Sequence, residues 1–540
     1  MSDFPRPHIV GAVESETNMR RWWIALALLG GACTTGTGGP APRAGIAPAA
    51  ESLTSRSPTI TPAELRRDLY AFADDSMRGR ETGTRDAVRA AEFIARRMAL
   101  LGLQPAGDSG FYQRVPLVRH DVLATSRFAV ERDGVVTALR LGADLIPLTT
   151  LGPGAFAKLT ASGEVVFGGY GIDDAALGRH DLSGLDIQGK VLVLVHAAPP
   201  GADSAARAKY NAQSALQLLV QAVLPARPAA VVILMTPETQ DLFYQGASDL
   251  LRGVSIRAPG SEPTDKMRVF PLILLGRAAP GSPLLPPGWP ADDQPQDLHE
   301  TLSARVDMQS VPVTGYNVVA VSPGSDPSLR GTYVAFGAHL DHIGIQSGMT
   351  PDSIANGADD DGSGSVSMMA IARAVRAEPH RRSLLFVWHT GEEKGLLGST
   401  WFTDHPTVPI DSIVAQLNAD MIGRNAPGEL YVVGPNAAPD GQSRVLGAIF
   451  DSVNATEPQP FRINRSFDSA TDPERIYYRS DHYNYARKGI PILFFTTGLH
   501  ADYHKVTDAP DKIAYVKMAL VDKLIMDVGL TVANRTTRPK

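Results

Sequence analysis

The chain has 540 residues, 44% of them hydrophobic, with 51 Lys plus Arg against 57 Asp plus Glu. That length supports two or three domains with full cores, and the ordinary hydrophobic content argues against disorder outside the ends. With no long run of either charge sign, the basic footprint of a nucleic-acid binder is missing and no nucleic-acid partner is expected.

At the N-terminus, Arg20-Arg21 precede the apolar stretch Trp22–Leu29, followed by Gly30, Gly31, Ala32 and Cys33. Charged, apolar and then small residues are the order of an export signal, and the stretch is too short to span a bilayer permanently. Cys33 is the single cysteine, which excludes an internal disulfide. Its place after Ala32 resembles the lipid-modified cysteine of bacterial lipoproteins, although Gly30 stands where such signals usually carry Leu. A plain secretory signal is the alternative. Membrane attachment is therefore expected only through Cys33, in a periplasmic or cell-surface protein, and secretion otherwise. Met19 would make a more typical start than Met1, so residues 1–33 are read as leader and signal. Residues 34–60, rich in Gly, Pro, Ala and Thr, have too little to bury and read as a flexible tether.

Thr61-Pro62-Ala63-Glu64 combines an N-cap residue, proline at the first helical position and Glu three after the cap, which predicts a helix to about Phe72. A second helix is marked by Val88, Ala91, Phe93, Ile94, Met98 and Leu101 and stopped by Gly102. These fall in a first part of the main domain, residues 61–118. From 119 to 311 the texture changes to short β-like runs at Gly163–Val166, Val191–Val195, Ala230–Leu234 and Val269–Leu275, read as an inserted β-rich domain. The main domain resumes over 312–535. Strands are expected at Asn317–Val321, Thr332–Gly337, Ser383–Trp388, Ile413–Leu417, Leu430–Val433 and Ile492–Phe495, with a helix at Ser365–Arg376. Apolar strands alternating with amphipathic helices predict an α/β fold with a mainly parallel sheet and helices on both faces.

Five side chains in this second part have metal-ligand chemistry, each in its own phrase: His339, Asp360, Glu393, Asp420 and His504. Two His and three carboxylates are too many for one tetrahedral zinc that keeps a position open, and suit two Zn2+ sharing a carboxylate. Glu392 beside Glu393 is then free to act as a base. In isolation Gly-Glu-Glu-Lys-Gly would read as an exposed charged turn. Asp341, two residues from His339 on an extended chain, is expected to hold the ring nitrogen that does not meet metal. On the same alternation His342 points away and is read as a decoy. Asp360 is the expected bridge, with Asp359 and Asp361 as competitors, and Tyr503 is a donor to an oxyanion. Rival chemistries fail: His299-Glu300 lacks the second His of the one-helix zinc-protease signature, and there is no G-x-S-x-G or phosphate-binding loop. Ser480-Asp481-His482 cannot converge as a triad and is expected to shape a substrate pocket.

At these residues the chain resembles the di-zinc exopeptidase family that includes bacterial secreted leucyl aminopeptidases and glutamate carboxypeptidase II. The resemblance covers roughly 61–118 and 312–535, extends to Ser480-Asp481-His482 and Gly489-Ile490-Pro491, and the insert is similar to the protease-associated domain of many relatives. It implies that His339, Asp360 and Asp420 hold one zinc and Asp360, Glu393 and His504 the other. It further implies that Glu392 is the general base, that Tyr503 stabilises the oxyanion and that Asp360–Asp361 is a cis peptide. The implied activity is an aminopeptidase that hydrolyses N-terminal residues of peptide substrates through a water bridging the two zincs. A glutamate-releasing carboxypeptidase is the first alternative; it would need Arg424, Arg475 or Arg479 in the pocket. A glutaminyl-cyclase-like enzyme would use a single zinc, and a receptor-like binding protein would be marked by lost ligands, of which there are none.

Overall fold

The structure is a computed structural model that describes residues 59–147, 158–239, 254–259, 271–346, 352–438, 441–472 and 474–539. The export signal, Cys33 and the tether lie outside the described residues.

Helix α1 (Pro62–Phe72) begins as its sequence dictates: the Thr61 hydroxyl accepts the Glu64 N–H at 3.3 Å, and Pro62 opens the first turn. Helix α2 (Arg85–Leu101) is capped by Thr84 and buries Ala87, Ala91, Ile94, Met98 and Leu101, a stripe at helical spacing. It ends at Gly102, whose φ of 72° is the left-handed conformation of a helix C-cap. Strand β1 (Tyr112–Val122) follows and pairs antiparallel with Val254–Arg257.

Ala124–Thr236 and Ser261–Met308 form one compact unit. Its strands β2 (Lys158–Phe167), β3 (Val191–His196), β4 (Ala230–Met235) and β5 (Leu272–Arg277) pair in that order, all parallel, with helix α3 (Gln213–Val223) between β3 and β4. Every residue of β3 and β4 is buried, which accounts for their unbroken apolar sequences. Strand β1 and its partner Val254–Arg257 belong to the other unit. Strand β6 (Gln296–Ser322) gives its first part to this unit and its last part to the other.

The second unit is built on β7 (Tyr333–His339), α4 (Gly364–Ala374), β8 (Ser383–His389), α5 (Leu397–Asp404), β9 (Ile413–Ala419), β10 (Glu429–Val433), α6 (Arg444–Thr456), β11 (Ile492–Thr496) and α7 (Tyr515–Asn534). Its sheet runs β6-β8-β7-β9-β11-β10, with β8, β7, β9 and β11 mutually parallel and β6 and β10 antiparallel to their neighbours. Helices cover both faces. Phe336, Phe386, Trp388, Leu417 and Phe495 meet α4 and α7 on one face, while Ala335, Leu385, Val387 and Phe494 pack against Phe402 and Tyr485 on the other. The Phe336 and Phe386 rings stack at 5.0 Å. Gly529 lets α7 lie directly on Phe336, since a Cβ there would come within 2.2 Å of that ring. The four parallel strands end together at one edge, where open α/β sheets place their sites.

Candidate metal centre

That edge gathers the predicted side chains. His339 is the last residue of β7, Glu392 and Glu393 follow β8, Asp420 follows β9, His504 lies beyond β11, and Asp360 precedes α4. All six are buried. The Asp360 carboxylate lies between the two imidazoles, with Oδ1 3.3 Å from His339 Nε2 and Oδ2 3.1 Å from His504 Nε2. Asp420 Oδ2 is 3.7 Å from His339 Nε2, and Glu393 Oε2 is 3.0 Å from His504 Nε2. Glu392 Oε2 stands 3.9 Å from His339 Nε2. The Asp360–Asp361 peptide is cis.

The acidic triplet divides by hydrogen bonding. Asp359 accepts the Gly423 N–H at 2.7 Å and faces His500 Nε2 at 3.1 Å. Asp361 accepts the N–H groups of His339 at 3.0 Å and Gly364 at 2.8 Å, tying the end of β7 to the start of α4. Asp360 is left to face the imidazoles, while its N–H and that of Asp359 donate to Asp508 Oδ2 at 3.1 and 2.9 Å.

Two expectations need correction. His342 does not point away: its Nδ1 is 2.7 Å from Glu393 Oε1 and 3.8 Å from Asp360 Oδ2, and its ring meets that of His504 edge-on at 5.8 Å. Strand β7 ends at His339, so strand alternation no longer governs a residue three positions later. Nor does the Asp341 carboxylate hold the His339 ring. Its Oδ1 is 3.9 Å from Nδ1, which instead faces the carbonyl oxygen of Asp341 at 3.2 Å. The carboxylate accepts from the Thr82 hydroxyl at 2.5 Å and from the Glu392 N–H at 3.2 Å.

Ligand atoms lying within 4.8 Å of one another form two sets, His339 with Glu392 and Asp420, and His342 with Asp360 and Glu393. Sequence reasoning set His342 aside, gave Ser480 only a part in shaping the pocket, and missed Arg80 and Thr82. The Ser480 hydroxyl donates to Asp420 Oδ2 at 2.7 Å. Asp481 faces His389 Nδ1 at 3.3 Å, and the His482 ring stacks on Phe494 at 4.4 Å, so the three members of that phrase diverge.

Burial opposes charge throughout the cluster, and the pairings decide which groups keep it. Burial lowers the pKa of His339, but Glu392 and Asp420 outweigh it and raise the ring well above its ordinary value. Burial likewise lowers His504, yet Glu393 and Asp360 raise it to about 10. Glu393, despite burial and the nearby Asp360, is held at about 2 by His504 and His342. Burial lowers His342 below its ordinary value, and its Nδ1 faces Glu393 Oε1 at 2.7 Å. Glu392 is pushed well above the carboxylate range, first by burial and then by Glu393 and Asp420, the direction a proton acceptor working near neutrality needs. Burial also keeps the Tyr503 phenol protonated.

The donor set fits zinc. His339 Nε2, His504 Nε2, Asp360 Oδ2 and Glu393 Oε2 are buried without a hydrogen bond of proper geometry, a costly state for a protein that leaves such atoms unused. Imidazole nitrogen and carboxylate oxygen are the ligands of hydrolytic zinc.

A cleft opens over Asp360, Glu392 and Asp420. Met421, Phe467, Ile476, Phe494 and Leu499 give it an apolar wall, and Arg479 and Tyr503 a polar one. Of the three arginines a carboxypeptidase would use, Arg479 lines the cleft, 3.4 Å from the Tyr503 hydroxyl. Arg424 pairs with Asp502 at 2.6 Å and the Arg475 guanidinium lies over the Tyr478 ring.

Two imidazoles and several carboxylates are thus buried together at the carboxyl edge of a parallel sheet. Residues 317–528 match the model of peptidase family M28. A probable leucine aminopeptidase of Trichophyton verrucosum is 28% identical over 230 residues, 41% of this chain and 58% of that protein. Leupeptin-inactivating enzyme 1 of Streptomyces exfoliatus is 33% identical over 203 residues, 37% of this chain and 39% of that protein. The chain thus spans about half the length of the first of these relatives. Among solved structures, an aminopeptidase from Aneurinibacillus sp. strain AM-1 superposes with a TM-score of 0.53 at 18% identity, covering 91% of this chain and 98% of that one. The zinc aminopeptidase BSAP from Bacillus subtilis gives 0.52 at 16% identity, covering 89% and 98%. At these identities the likeness is one of fold.

Proposed function

We propose that the chain is an exported aminopeptidase that uses two zincs to remove N-terminal residues from peptides. The observation that carries this reading is Asp360, one carboxylate whose two oxygens face imidazoles on opposite sides. His339, Asp360 and Asp420 would hold one zinc, and Asp360, Glu393 and His504 the other. When bound, the pair supplies an acidified water and polarises the scissile carbonyl.

Glu392, held by its backbone N–H on Asp341, takes the proton of the attacking water and returns it to the leaving amine. The Tyr503 hydroxyl donates to the oxygen on which charge develops, and its raised pKa keeps it a donor. The substrate's free α-amine meets the carboxylates that line the cleft, and its side chain meets the apolar wall. Glu392→Ala is expected to lower turnover by about 10²- to 10⁴-fold while leaving zinc bound, the range a general base supplies. A folded, zinc-loaded variant at parental turnover would sink the assignment.

Arg479 supports a second reading, a carboxypeptidase whose substrate carboxylate meets that guanidinium. Leucyl p-nitroanilide and an amine-blocked acidic dipeptide separate the two: the aminopeptidase cleaves the first and spares the second. The charged, apolar and small segments before Cys33 support export with a lipid anchor, in which case Cys33→Ala moves the protein from the membrane to the soluble fraction. The unit around β2 to β5 is read as a protease-associated domain.

A further inference from the structure

The family match begins at residue 317, yet a segment far upstream of it holds the loops that carry the centre. Residues 79–82 lie along residues 340–344: the Gly344 N–H donates to Gly79 O at 3.1 Å, the His342 N–H to Arg80 O at 3.3 Å, and Glu81 forms a bridge with His342. Gly79 has a φ of 70°, and a Cβ there would come within 2.5 Å of the Ala355 carbonyl oxygen, so the approach requires glycine.

From this segment Arg80 turns inward and is fully buried. Its Nε donates to Leu340 O at 3.0 Å, its Nη1 to Asn356 O at 2.7 Å and Phe72 O at 3.2 Å, and its Nη2 to Gly357 O at 2.8 Å. Leu340 stands between His339 and Asp341, and Asn356-Gly357 lead into Asp360. One planar group therefore spans the two loops that bring the first histidine and the shared carboxylate together. A buried guanidinium satisfied by carbonyls rather than by a carboxylate is costly unless negative charge lies nearby, and here Asp361, Asp360 and Asp341 supply it. Two residues on, the Thr82 hydroxyl donates to Asp341 Oδ2, and Asp341 Oδ1 accepts the Glu392 N–H. Glu81 lies 3.6 Å from Lys394, the residue after Glu393.

We propose that Gly79-Arg80-Glu81-Thr82 is a positioning clasp of the metal centre: Arg80 fixes the loops of His339 and Asp360 against each other, and Thr82, through Asp341, fixes the base Glu392. Neither residue touches substrate or reacting atoms. The family-matched span is then an incomplete site without this segment. The inference rests on the two-zinc reading.

The test uses the full chain, with elemental zinc analysis, competition against a chromogenic zinc chelator, thermal melting, and kcat and KM on leucyl p-nitroanilide. Support partners of ligands are worth about 10- to 100-fold in metal affinity or activity. Thr82→Val is expected to keep its zinc and lower kcat by about that factor with KM unchanged, and Thr82→Ser to restore it. Arg80→Lys, whose ammonium cannot bridge four carbonyls, is expected to lose zinc at about 10- to 100-fold lower chelator concentration. A lower melting temperature with parental kcat and zinc affinity in the folded fraction would show a structural role only and overturn the proposal. If Arg80→Lys does not fold, the Thr82 pair decides. A parent with one zinc or none strikes the two-zinc reading, whereas a parent with two zincs and indifferent variants strikes the clasp.

Discussion

On the proposed two-zinc reading, Ser480→Ala isolates one support of one ligand. The hydroxyl is buried, donates to Asp420 Oδ2 at 2.7 Å and accepts the Asn418 Nδ2–H at 3.0 Å. Its loss has two separable parts. A hydrogen bond to a charged group contributes about 1.5–3 kcal/mol, and this one holds Asp420 in place. The Asn418 amide is left with a buried donor unpaired, a cost of about 1–3 kcal/mol that falls equally on the zinc-loaded and zinc-free protein. The first part therefore appears in metal binding and the second in melting temperature. At about 1.4 kcal/mol per tenfold, the first corresponds to a roughly 10- to 150-fold loss of affinity at the site that includes Asp420. Chelator competition on the purified variant reads it directly, with elemental analysis showing one zinc lost before the other. A folded Ser480→Ala protein that holds both zincs at parental affinity would refute the reasoning, because it would mean that Asp420 needs no help to keep its orientation.

Zinc affinity is expected to rise with pH through the neutral range. The carboxylates of Glu393 and Asp360 overcome burial and raise metal-free His504 to about 10, so zinc must displace a proton there, and affinity gains about tenfold per pH unit for each proton displaced. A flat profile between pH 6 and 8 would contradict this. Burial raises Asp522 in α7 to about 8, so from about pH 4 to 8 the folded chain keeps a proton that the unfolded chain releases, and stability falls as pH rises over that window. Asp522→Asn, neutral throughout, should therefore gain more in melting temperature over the parent at pH 8 than at pH 5; equal gains would be the failing result. Phe467→Ala removes part of the apolar wall and should lower kcat/KM for leucyl p-nitroanilide more than for the alanyl compound, by about 1–3 kcal/mol of discrimination. An identical loss on both substrates would remove Phe467 from the side-chain pocket.

The parallel core was readable because strands covered on both faces must be apolar throughout: Ser383–Trp388 and Ile413–Leu417 were recognised from composition and form as β8 and β9. Strand β6 was read only over Asn317–Val321. It begins at Gln296, and from Leu298 to Val306 its burial alternates strictly, but buried Glu300 and the later Pro312 disguise the period-two pattern. The phrases that meet at the sheet edge were legible because each carries its chemistry locally, at a strand end or in a glycine-flanked turn. Their supports were not. Arg80 meets backbone carbonyls of distant residues, which have no side-chain signature, and Ser480 meets Asp420 across 60 positions. The misreading of His342 came from extending strand geometry one turn of chain past the place where β7 stops.

The close seat of Gly529 on Phe336 bears on the order of assembly. Strand β7 ends in His339, and one face of it is closed by α7, which lies far downstream in the sequence. Until that helix emerges from the ribosome, Phe336 and its stacked partner Phe386 have only the part of their cover that α4 gives. A chain stalled before α7 is thus expected to carry the ligand phrases without the packed sheet edge that brings them together.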